Sequence, residues 1–371
     1  PICFEYHYEG EHLVGASGPH GTRRYEIDDA GLVARVVATT GVVECVNVYD
    51  GEARVVKQTS EHGRDTHFAY LPGRVTVVSD GDGTRSNTWV ADSRGRTIAA
   101  EDSDGNRQTM SYDRHGNLLR SRDRDNKVTT HFYDERGHLV RTVSPAGGEL
   151  TASYDEQDRL VEAVGPTGLV ARYEYEGDSP NPSRFINADG AVTSLEWVNG
   201  LLVKATDPTG VFQTIGYNDA GEVISFADAL GNTYRMERDS AGRVVEMVTP
   251  LGFTTRLVYN ADGTLARRID PDGATTTVDY DVYGRPVVVT DPGGAKLTLV
   301  YSEVDGRVEK IIDPLGHALS NDVDDLGNLR SITMPDGDEF TFVFDALSRL
   351  RQVADPVGHA WKFEYDAVGD L

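Results

Sequence analysis

The chain has 371 residues, of which 60 are acidic and 36 are basic, so its formal net charge is −24 at pH 7. Phosphate contacts by Lys and Arg supply most non-specific affinity for nucleic acid, so this balance argues against a DNA- or RNA-binding protein. It argues equally against docking on anionic membranes. No apolar run approaches the ~20 residues that a membrane-spanning helix needs, so we expect no membrane insertion by this segment.

A 21-residue unit built around the pair Tyr-Asp recurs along the whole chain. We call the tyrosine position of this pair the slot. The 18 slots are Tyr8, Ile27, Tyr49, Tyr70, Ala91, Tyr112, Tyr133, Tyr154, Tyr175, Trp197, Tyr217, Arg238, Tyr259, Tyr280, Tyr301, Val323, Phe344 and Tyr365. A fixed period of roughly 20–50 residues means that each unit must stack on its neighbours. The sequence therefore predicts a single repeat array over residues 1–371, with degenerate units before residue 49.

The first units of the array contain both cysteines of the chain, Cys3 and Cys45. They lie two repeats and some four strands apart, which is ~19 Å at the usual strand spacing. A disulfide needs Cα atoms within about 7 Å of each other. We therefore expect two free thiols, on which the fold does not depend.

The unit that begins at Gln108 shows the local structure most clearly. Residues 108–113 alternate in the period-2 manner of a strand, and residues 114–117 form a first turn in which Gly116 can take a positive φ. Residues 118–122 are a second strand, and residues 123–126 are a second turn. Later second turns, such as Asp270-Pro271-Asp272-Gly273, carry the same signals more plainly. Strand–turn–strand–turn units predict an all-β protein, a continuous antiparallel sheet of about 36 short strands.

The aromatic residues follow one face of the first strand in each unit. Twelve of the 17 tyrosines occupy slots, and four others lie two or four residues before one. Cross-strand aromatic pairs contribute roughly 0.2–1 kcal/mol each, so we expect successive units to stack ring beside ring. A sugar-binding platform is the alternative interpretation of such a stripe. The candidate residues of this structural Tyr-Asp ladder are Tyr112, Asp113, Tyr133, Asp134, Tyr154, Asp155, Tyr217, Tyr259, Tyr280, Asp281, Tyr365 and Asp366.

The unit resembles the YD repeat of Rhs proteins and teneurins, most closely at residues 112–118, 133–139, 154–160 and 280–285. The resemblance extends over essentially the full chain. It implies that the repeats wind into a spiralling β-sheet that closes as a hollow shell. In Rhs-type bacterial toxins such a shell encloses a C-terminal toxic domain, and in teneurins the equivalent barrel belongs to a cell-adhesion ectodomain. The implied localisation is secreted or at the bacterial cell surface.

One part of the Rhs pattern is missing from this chain. Asp313-Pro314-Leu315-Gly316 resembles the opening of the Rhs core motif, which carries an aspartic self-cleavage site. Here the motif continues as His317-Ala318 and is followed by two more units, so we assign no self-cleavage. The last residues, from Tyr365 onward, are an ordinary repeat, and the chain is expected to be a segment of a longer protein.

The carboxylates and histidines do not form a recognisable catalytic or metal-binding motif. Asp80-Gly81-Asp82-Gly83 and Asp102-Ser103-Asp104-Gly105 resemble fragments of calcium loops, but both lack the third ligand and the distal Glu of an EF-hand. The sequence shows no His-Glu-x-x-His and no Cys-x-x-Cys spacing. We therefore predict no cofactor, no dedicated metal site and no enzyme activity.

The predicted function is that of a non-catalytic β-shell segment of an Rhs-type toxin, which encloses or presents a C-terminal toxic domain. Its partners would be the remaining repeats, the core and the toxin domain of its own parent chain. The alternatives are a cell-surface adhesion or carbohydrate-binding module, which would recognise glycans or target-cell proteins, and an enzyme acting on polysaccharide. Unpaired strand edges at both ends of the segment further predict concentration-dependent self-association.

Overall fold

The structure is a computed structural model and describes residues 3–81, 83, 85–303, 305–324 and 327–371. Across these ranges the regular elements are 35 strands of one antiparallel sheet, and none is a helix. The all-β fold predicted from the repeats is confirmed. The strand number is 35 instead of about 36 because 18 slot-bearing first strands are separated by 17 second strands. The described part also lacks any helix long and apolar enough to cross a membrane.

The chain divides into two compact units. Unit 1 comprises two segments, Pro1–Arg107 and Thr255–Leu371, and unit 2 comprises Gln108–Thr254. The single array over residues 1–371 stays a prediction beside this division.

The strands of each segment have the following bounds. The first segment of unit 1 contains β1 Glu5–Glu9, β2 His12–Gly18, β3 Gly21–Ile27, β4 Val33–Val37, β5 Val43–Tyr49, β6 Val55–Ser60, β7 Asp65–Leu71, β8 Val75–Asp80, β9 Ser86–Ala91 and β10 Thr97–Glu101. Strand β11, Arg107–Tyr112, begins at the boundary, and unit 2 continues with β12 Leu118–Arg122, β13 Val128–Tyr133, β14 Leu139–Val143, β15 Glu149–Tyr154, β16 Leu160–Gly165, β17 Gly168–Tyr175, β18 Pro182–Asn187, β19 Val192–Val198, β20 Leu201–Thr206, β21 Phe212–Tyr217, β22 Val223–Asp228, β23 Thr233–Arg238 and β24 Val244–Val248. The second segment of unit 1 contains β25 Thr254–Tyr259, β26 Leu265–Ile269, β27 Thr275–Tyr280, β28 Pro286–Thr290, β29 Lys296–Tyr301, β30 Val308–Ile312, β31 Ala318–Val323, β32 Leu329–Thr333, β33 Glu339–Phe344, β34 Leu350–Ala354 and β35 Ala360–Lys362.

Within a repeat, the first strand pairs antiparallel with the second strand, and the register shifts just before the slot. In β11 and β12, Ser111 lies opposite Arg120 but Tyr112 lies opposite Leu118, so Leu119 is an extra residue. The same shift precedes Tyr133, Tyr154 and most later slots. One extra residue forms a β-bulge, which bends the strand and increases its local twist. Each repeat thereby carries its own bend at the slot.

The two turns of a repeat share one hydrogen-bond scheme. In the turn after Tyr133, the Asp134 N–H donates to the His138 carbonyl at 3.0 Å, and the Gly137 N–H donates to the Asp134 carbonyl at 3.1 Å. The fourth residue of such a turn has a positive φ, which is 91° at Gly137. Glycine adopts this conformation without steric cost, which is why Gly recurs at this position. Non-glycine residues stand there in four turns, at Ala53, Asn126, Asp158 and Ser348.

Replacing Ala53 with glycine is expected to stabilise the fold. Ala53 has a φ of 61°, and an L-residue in this region costs roughly 1–2 kcal/mol, of which the entropy of glycine returns about 0.5–1 kcal/mol. Ala53→Gly should therefore raise the free energy of unfolding by up to about 1 kcal/mol, measured by urea denaturation. The matched control is Ala100→Gly on strand β10, which should lower it, because glycine weakens a strand interior.

The sheet has no deep apolar core. In the described part the buried apolar residues are three alanines, Ala99, Ala100 and Ala171. The accessible surface is 22417 Å², against ~14,500 Å² for a compact protein of this mass. Stability must therefore come from contacts between adjacent strands, as in other repeat arrays.

The two faces of the sheet differ in chemistry. The face opposite the slots carries cross-strand ion pairs, such as Arg184 with Glu174 and Lys204 with Glu196, both at 2.7 Å. These pairs are substantially exposed, so each contributes at most about 1 kcal/mol. The slot face carries the tyrosine ladder.

Candidate functional site: the Tyr-Asp ladder and the turn seam

The residues predicted from the Tyr-Asp motif lie where each first strand meets its first turn. Every predicted slot tyrosine except Tyr365 is the last residue of its strand, and Tyr365 lies three residues beyond β35. The tyrosines and aspartates are half-buried apart from Asp366, which is exposed. The half-buried residues are Tyr112, Asp113, Tyr133, Asp134, Tyr154, Asp155, Tyr217, Tyr259, Tyr280, Asp281 and Tyr365.

The slot hydroxyl bonds to the backbone of the preceding second strand. Tyr133 Oη donates to the Leu118 carbonyl at 3.1 Å. Backbone pairing between β12 and β13 ends with Arg120 opposite Thr130, so the tyrosine supplies a donor two residues beyond the end of the ladder. The same bond, to a carbonyl 15 residues earlier in the chain, is made by Tyr70, Tyr154, Tyr175, Tyr217, Tyr280 and Tyr301.

Slots without tyrosine show that the hydrogen-bond donor is what the position requires. Trp197 Nε1 donates to the Pro182 carbonyl at 2.8 Å, and Arg238 Nε donates to the Val223 carbonyl at 3.0 Å. At the slot filled by valine, the neighbouring Asn321 donates to the Val308 carbonyl at 3.0 Å. The sequence signal for this role was the replacement of tyrosine by other long side chains that end in a donor.

Removing one slot hydroxyl tests the value of this bond. Burial raises the pKa of Tyr133, and the nearby Asp113 carboxylate adds to the shift, so the hydroxyl stays protonated as a donor. Tyr133→Phe should lower the free energy of unfolding by about 1–1.5 kcal/mol, because the Leu118 carbonyl loses its partner. Tyr6→Phe on the edge strand β1 is the control, since its ring is 58% exposed, and should change little. Equal urea midpoints for both variants would contradict the assignment.

The aspartate after the slot caps the first turn. Asp134 Oδ1 accepts the backbone N–H groups of Arg136 and His138, both at 2.9 Å, and its Oδ2 lies 2.9 Å from His138 Nδ1. The hydrogen bond from the His138 side chain, aided by the backbone bonds, lowers the pKa of Asp134. A carboxylate held ionised in this way suits a turn cap, whereas a general acid must keep its proton near neutral pH.

The fifth residue of the first turn connects each repeat to the next. Arg285 Nε donates to Asp281 Oδ2 at 2.8 Å, while its Nη1 donates to the Gly306 carbonyl at 3.0 Å. The same guanidinium lies 4.3 Å from the centroid of the Tyr301 ring, the slot of the next repeat. Equivalent cation–π contacts join Arg54 to Tyr70 and Arg159 to Tyr175, and His138 stacks on Tyr154.

These contacts differ from the ring-beside-ring stacking expected from the sequence. Successive slots are two strands apart, which is ~9.6 Å, whereas aromatic pairs interact at centroid distances of about 4.5–7 Å. A second strand stands between them, and the Arg or His of the intervening turn fills the gap. The rungs of the ladder are therefore alternating aromatic and cationic groups in these repeats.

Within unit 1, the second turns of the first segment touch the first turns of the second segment. We call this set of contacts the seam. The His62 ring lies 5.0 Å from the Tyr283 ring and covers Gly306, and the His20 ring covers Gly263. A Cβ on Gly263 would lie only 2.6 Å from His20 Nδ1. The absence of a side chain at both glycines is what admits the imidazoles.

Two polar contacts continue the seam. Asp104 Oδ2 lies 3.4 Å from Arg349 Nη2, and Arg85 Nη2 donates to Ser348 Oγ. Ser348 occupies the left-handed position that is usually glycine, with a φ of 60°. A strained residue is retained where it serves a contact, and this departure from the glycine pattern was the one sequence signal of the seam.

The seam keeps step with the repeats. The contacting pairs His20–Gly263, His62–Gly306 and Asp104–Arg349 are separated by 243, 244 and 245 residues. The first-segment partners recur every 42 residues, which is two repeats. The seam is thus a periodic contact between two kinds of turn.

The structure indicates what the remaining acidic and thiol groups do. Among the described residues, no three His, Cys, Asp or Glu side chains cluster to hold a metal ion. In the second calcium-like sequence, Asp102 Oδ1 instead accepts the backbone N–H groups of Asp104 and Asn106. Asp82 of the first calcium-like sequence lies outside the described residues. Cys3 and Cys45 are free thiols.

Comparison with known proteins gives the same picture for sequence and fold. Residues 112–149, 217–254 and 259–296 match the family described as RHS Repeat. The sequence matches none of the curated characterised proteins.

The fold resembles that of solved toxin components. The Tc holotoxin pore of Photorhabdus luminescens aligns over 99% of this chain, with a TM-score of 0.66 and 16% identity. The complex TcdB2-TccC3 without its hypervariable C-terminal region aligns over 100%, with a TM-score of 0.68 and 16% identity. The present chain spans 25% of each of those chains. At this identity the likeness concerns the fold.

Proposed function

Since this chain is an RHS-repeat protein, we propose that it is a non-catalytic wall segment of the β-shell of an Rhs-type toxin. In this proposal the shell encloses or presents a C-terminal toxic domain of the same parent chain. The protein would be secreted or displayed on the bacterial surface. The observation that carries the proposal is the fold similarity to TcdB2-TccC3, which extends along 100% of the present chain.

The chemistry of the ladder supports a wall function. Each slot donor bonds one repeat to the strand before it, and each Asp–Arg or Asp–His pair joins the next slot, so the repeats form a continuous hydrogen-bonded sheet. The turn carboxylates are occupied as caps, as at Asp134 and Asp281. A pair of carboxylates free to exchange protons, which hydrolysis of a glycosidic bond needs, is not what these groups offer.

Electron microscopy of the full-length protein that carries these repeats tests the proposal. A hollow particle with density inside, together with a C-terminal domain protected from added protease until the shell is opened, is the expected result. A solid or rod-like particle, or a C-terminal domain digested as fast as the same domain in isolation, would contradict it. Saturable binding on a glycan array without a cavity would favour an adhesion module instead.

A further inference from the structure

The third residue of a second turn is the contact residue of the seam. His62 is the third residue of the turn that begins at Ser60, and Asp104 is the third residue of the turn that begins at Asp102. His20 holds the equivalent place in the hairpin between β2 and β3. In unit 1 these side chains project onto first turns of other repeats. The position therefore faces outward along the strand axis, where a neighbouring row of turns can meet it.

In unit 2 the same position carries exposed leucines. Leu230 is 88% exposed and Leu251 is 83% exposed, each as the third residue of its second turn. Val211 and Phe253, at the ends of the same row of turns, are more than half exposed. Turns of adjacent repeats are ~9.6 Å apart, so these four side chains form one strip, which we call the apolar ridge. Turn tips are normally polar, so contiguous apolar side chains here mark an interaction surface.

The surface that receives such side chains is also present and open. In the seam the receiving feature is a left-handed glycine of a first turn, as at Gly263 and Gly306. Gly95 and Gly137 hold the same position in their first turns, and nothing lies within 4 Å of the place where their Cβ would be. The chain thus carries both a projecting ridge and unfilled glycine sockets of the kind that the seam uses.

We propose that a second copy of this chain docks its open first-turn sockets on the apolar ridge formed by Val211, Leu230, Leu251 and Phe253. The seam in unit 1 supplies the template, because it shows a third-position side chain seated on a first-turn glycine of another repeat. Ridge and socket are different surfaces, so the contact is heterologous and can continue from copy to copy. This inference does not depend on the presence of an enclosed toxic domain.

Sedimentation velocity over a wide concentration range measures the association. The wild-type weight-average sedimentation coefficient should rise with concentration, and Leu230→Asp combined with Leu251→Asp should weaken association at least tenfold. Leu230→Met with Leu251→Met should retain it, because the apolar surface is kept. The matched control is Val48→Asp with Val343→Asp, two strand residues each 49% exposed, which adds the same charge away from the ridge and should stay within twofold of wild type.

Three outcomes would overturn the proposal. The first is a wild-type chain that stays monomeric throughout. The second is equal weakening by the ridge and control variants, which would indicate general surface stickiness. The third is association that survives the ridge variant but is lost with Glu5→Pro on the edge strand β1, which would assign it to strand-edge pairing. Since both leucines are turn tips exposed to solvent, circular dichroism should show all ridge variants folded.

Discussion

Replacing Arg285 with alanine should lower the free energy of unfolding by about 3 kcal/mol, the largest effect expected for a single residue. Three kinds of contact are lost together. The guanidinium pairs with Asp281 at 2.7 Å, donates to the Gly306 carbonyl at 3.0 Å, and lies 4.6 Å from the Tyr283 ring. Tyr283 in turn meets His62 in the seam, so the loss extends beyond one repeat. Urea denaturation followed by tyrosine and tryptophan fluorescence measures it.

The control for this prediction is another arginine in an ion pair. Arg35 pairs with Glu26 across β3 and β4 at 3.2 Å, and both side chains are about half exposed. Arg35→Ala should cost less than about 1 kcal/mol. Arg285→Lys should fall between the two alanine variants, because lysine keeps the charge but not the planar fork that bonds and stacks at once. Equal losses for Arg285→Ala and Arg35→Ala would refute the inter-repeat role.

Stability should fall steeply in acid, because many turn carboxylates are held ionised together. Hydrogen bonds from the Arg54 side chain and backbone lower the pKa of Asp50, and the Arg96 side chain does the same for Asp92. Side-chain bonds from Thr209 and Asn232 lower the pKa of Asp207 and Asp228. The effects of these separate turns add, so the summed loss should exceed that of any one substitution.

The sign follows from the direction of the shifts. A carboxyl whose folded pKa lies below its unfolded value of about 3.9 stabilises the fold above that pH. This contribution is lost as the pH falls through the folded pKa, because the unfolded chain then binds more protons. The net charge of −24 acts in the opposite sense, since its repulsion weakens toward the pI. The urea midpoint should therefore hold or rise slightly from pH 7 to 5 and drop below about pH 4.

A single turn can be removed from this titration. Asparagine already caps the turns at Asn187 and Asn218 with the same backbone bonds, so Asp228→Asn should keep the cap while it loses the proton linkage. The variant should show a shallower decline of the urea midpoint between pH 4 and 2 than wild type. An unchanged slope, or a wild-type midpoint that does not move down to pH 2, would contradict the turn-cap account.

The local features of the fold could be predicted from the sequence because they repeat. The alternation ending at Tyr133, the turn that Asp134 opens and the left-handed Gly137 all lie within one unit, so neighbouring copies reinforce the same signal. The donor role of the slot was within reach too. Trp197 and Arg238 look like irregularities in a tyrosine series until their shared property, a terminal N–H, is noticed.

Contacts between distant repeats could not be predicted in the same way. His62 and Tyr283 are 221 residues apart, and no periodic pattern connects them. The ring-beside-ring expectation failed for a geometrical reason, since a 21-residue period places a second strand between one slot ring and the next. Arg285 fills that space, and its role depends on three partners that only the folded sheet brings together.

The near-constant separation of 243 to 245 residues across the seam has a consequence for how such a chain can change in length. Each ladder bond joins units that adjoin in the sequence, so one 21-residue module could be duplicated or deleted with little disturbance of the others. Between His20 and Gly263, however, any such change would move every seam partner out of register at once. The seam therefore acts as a ruler that fixes copy number in the interval it spans, while modules outside that interval are under no such constraint.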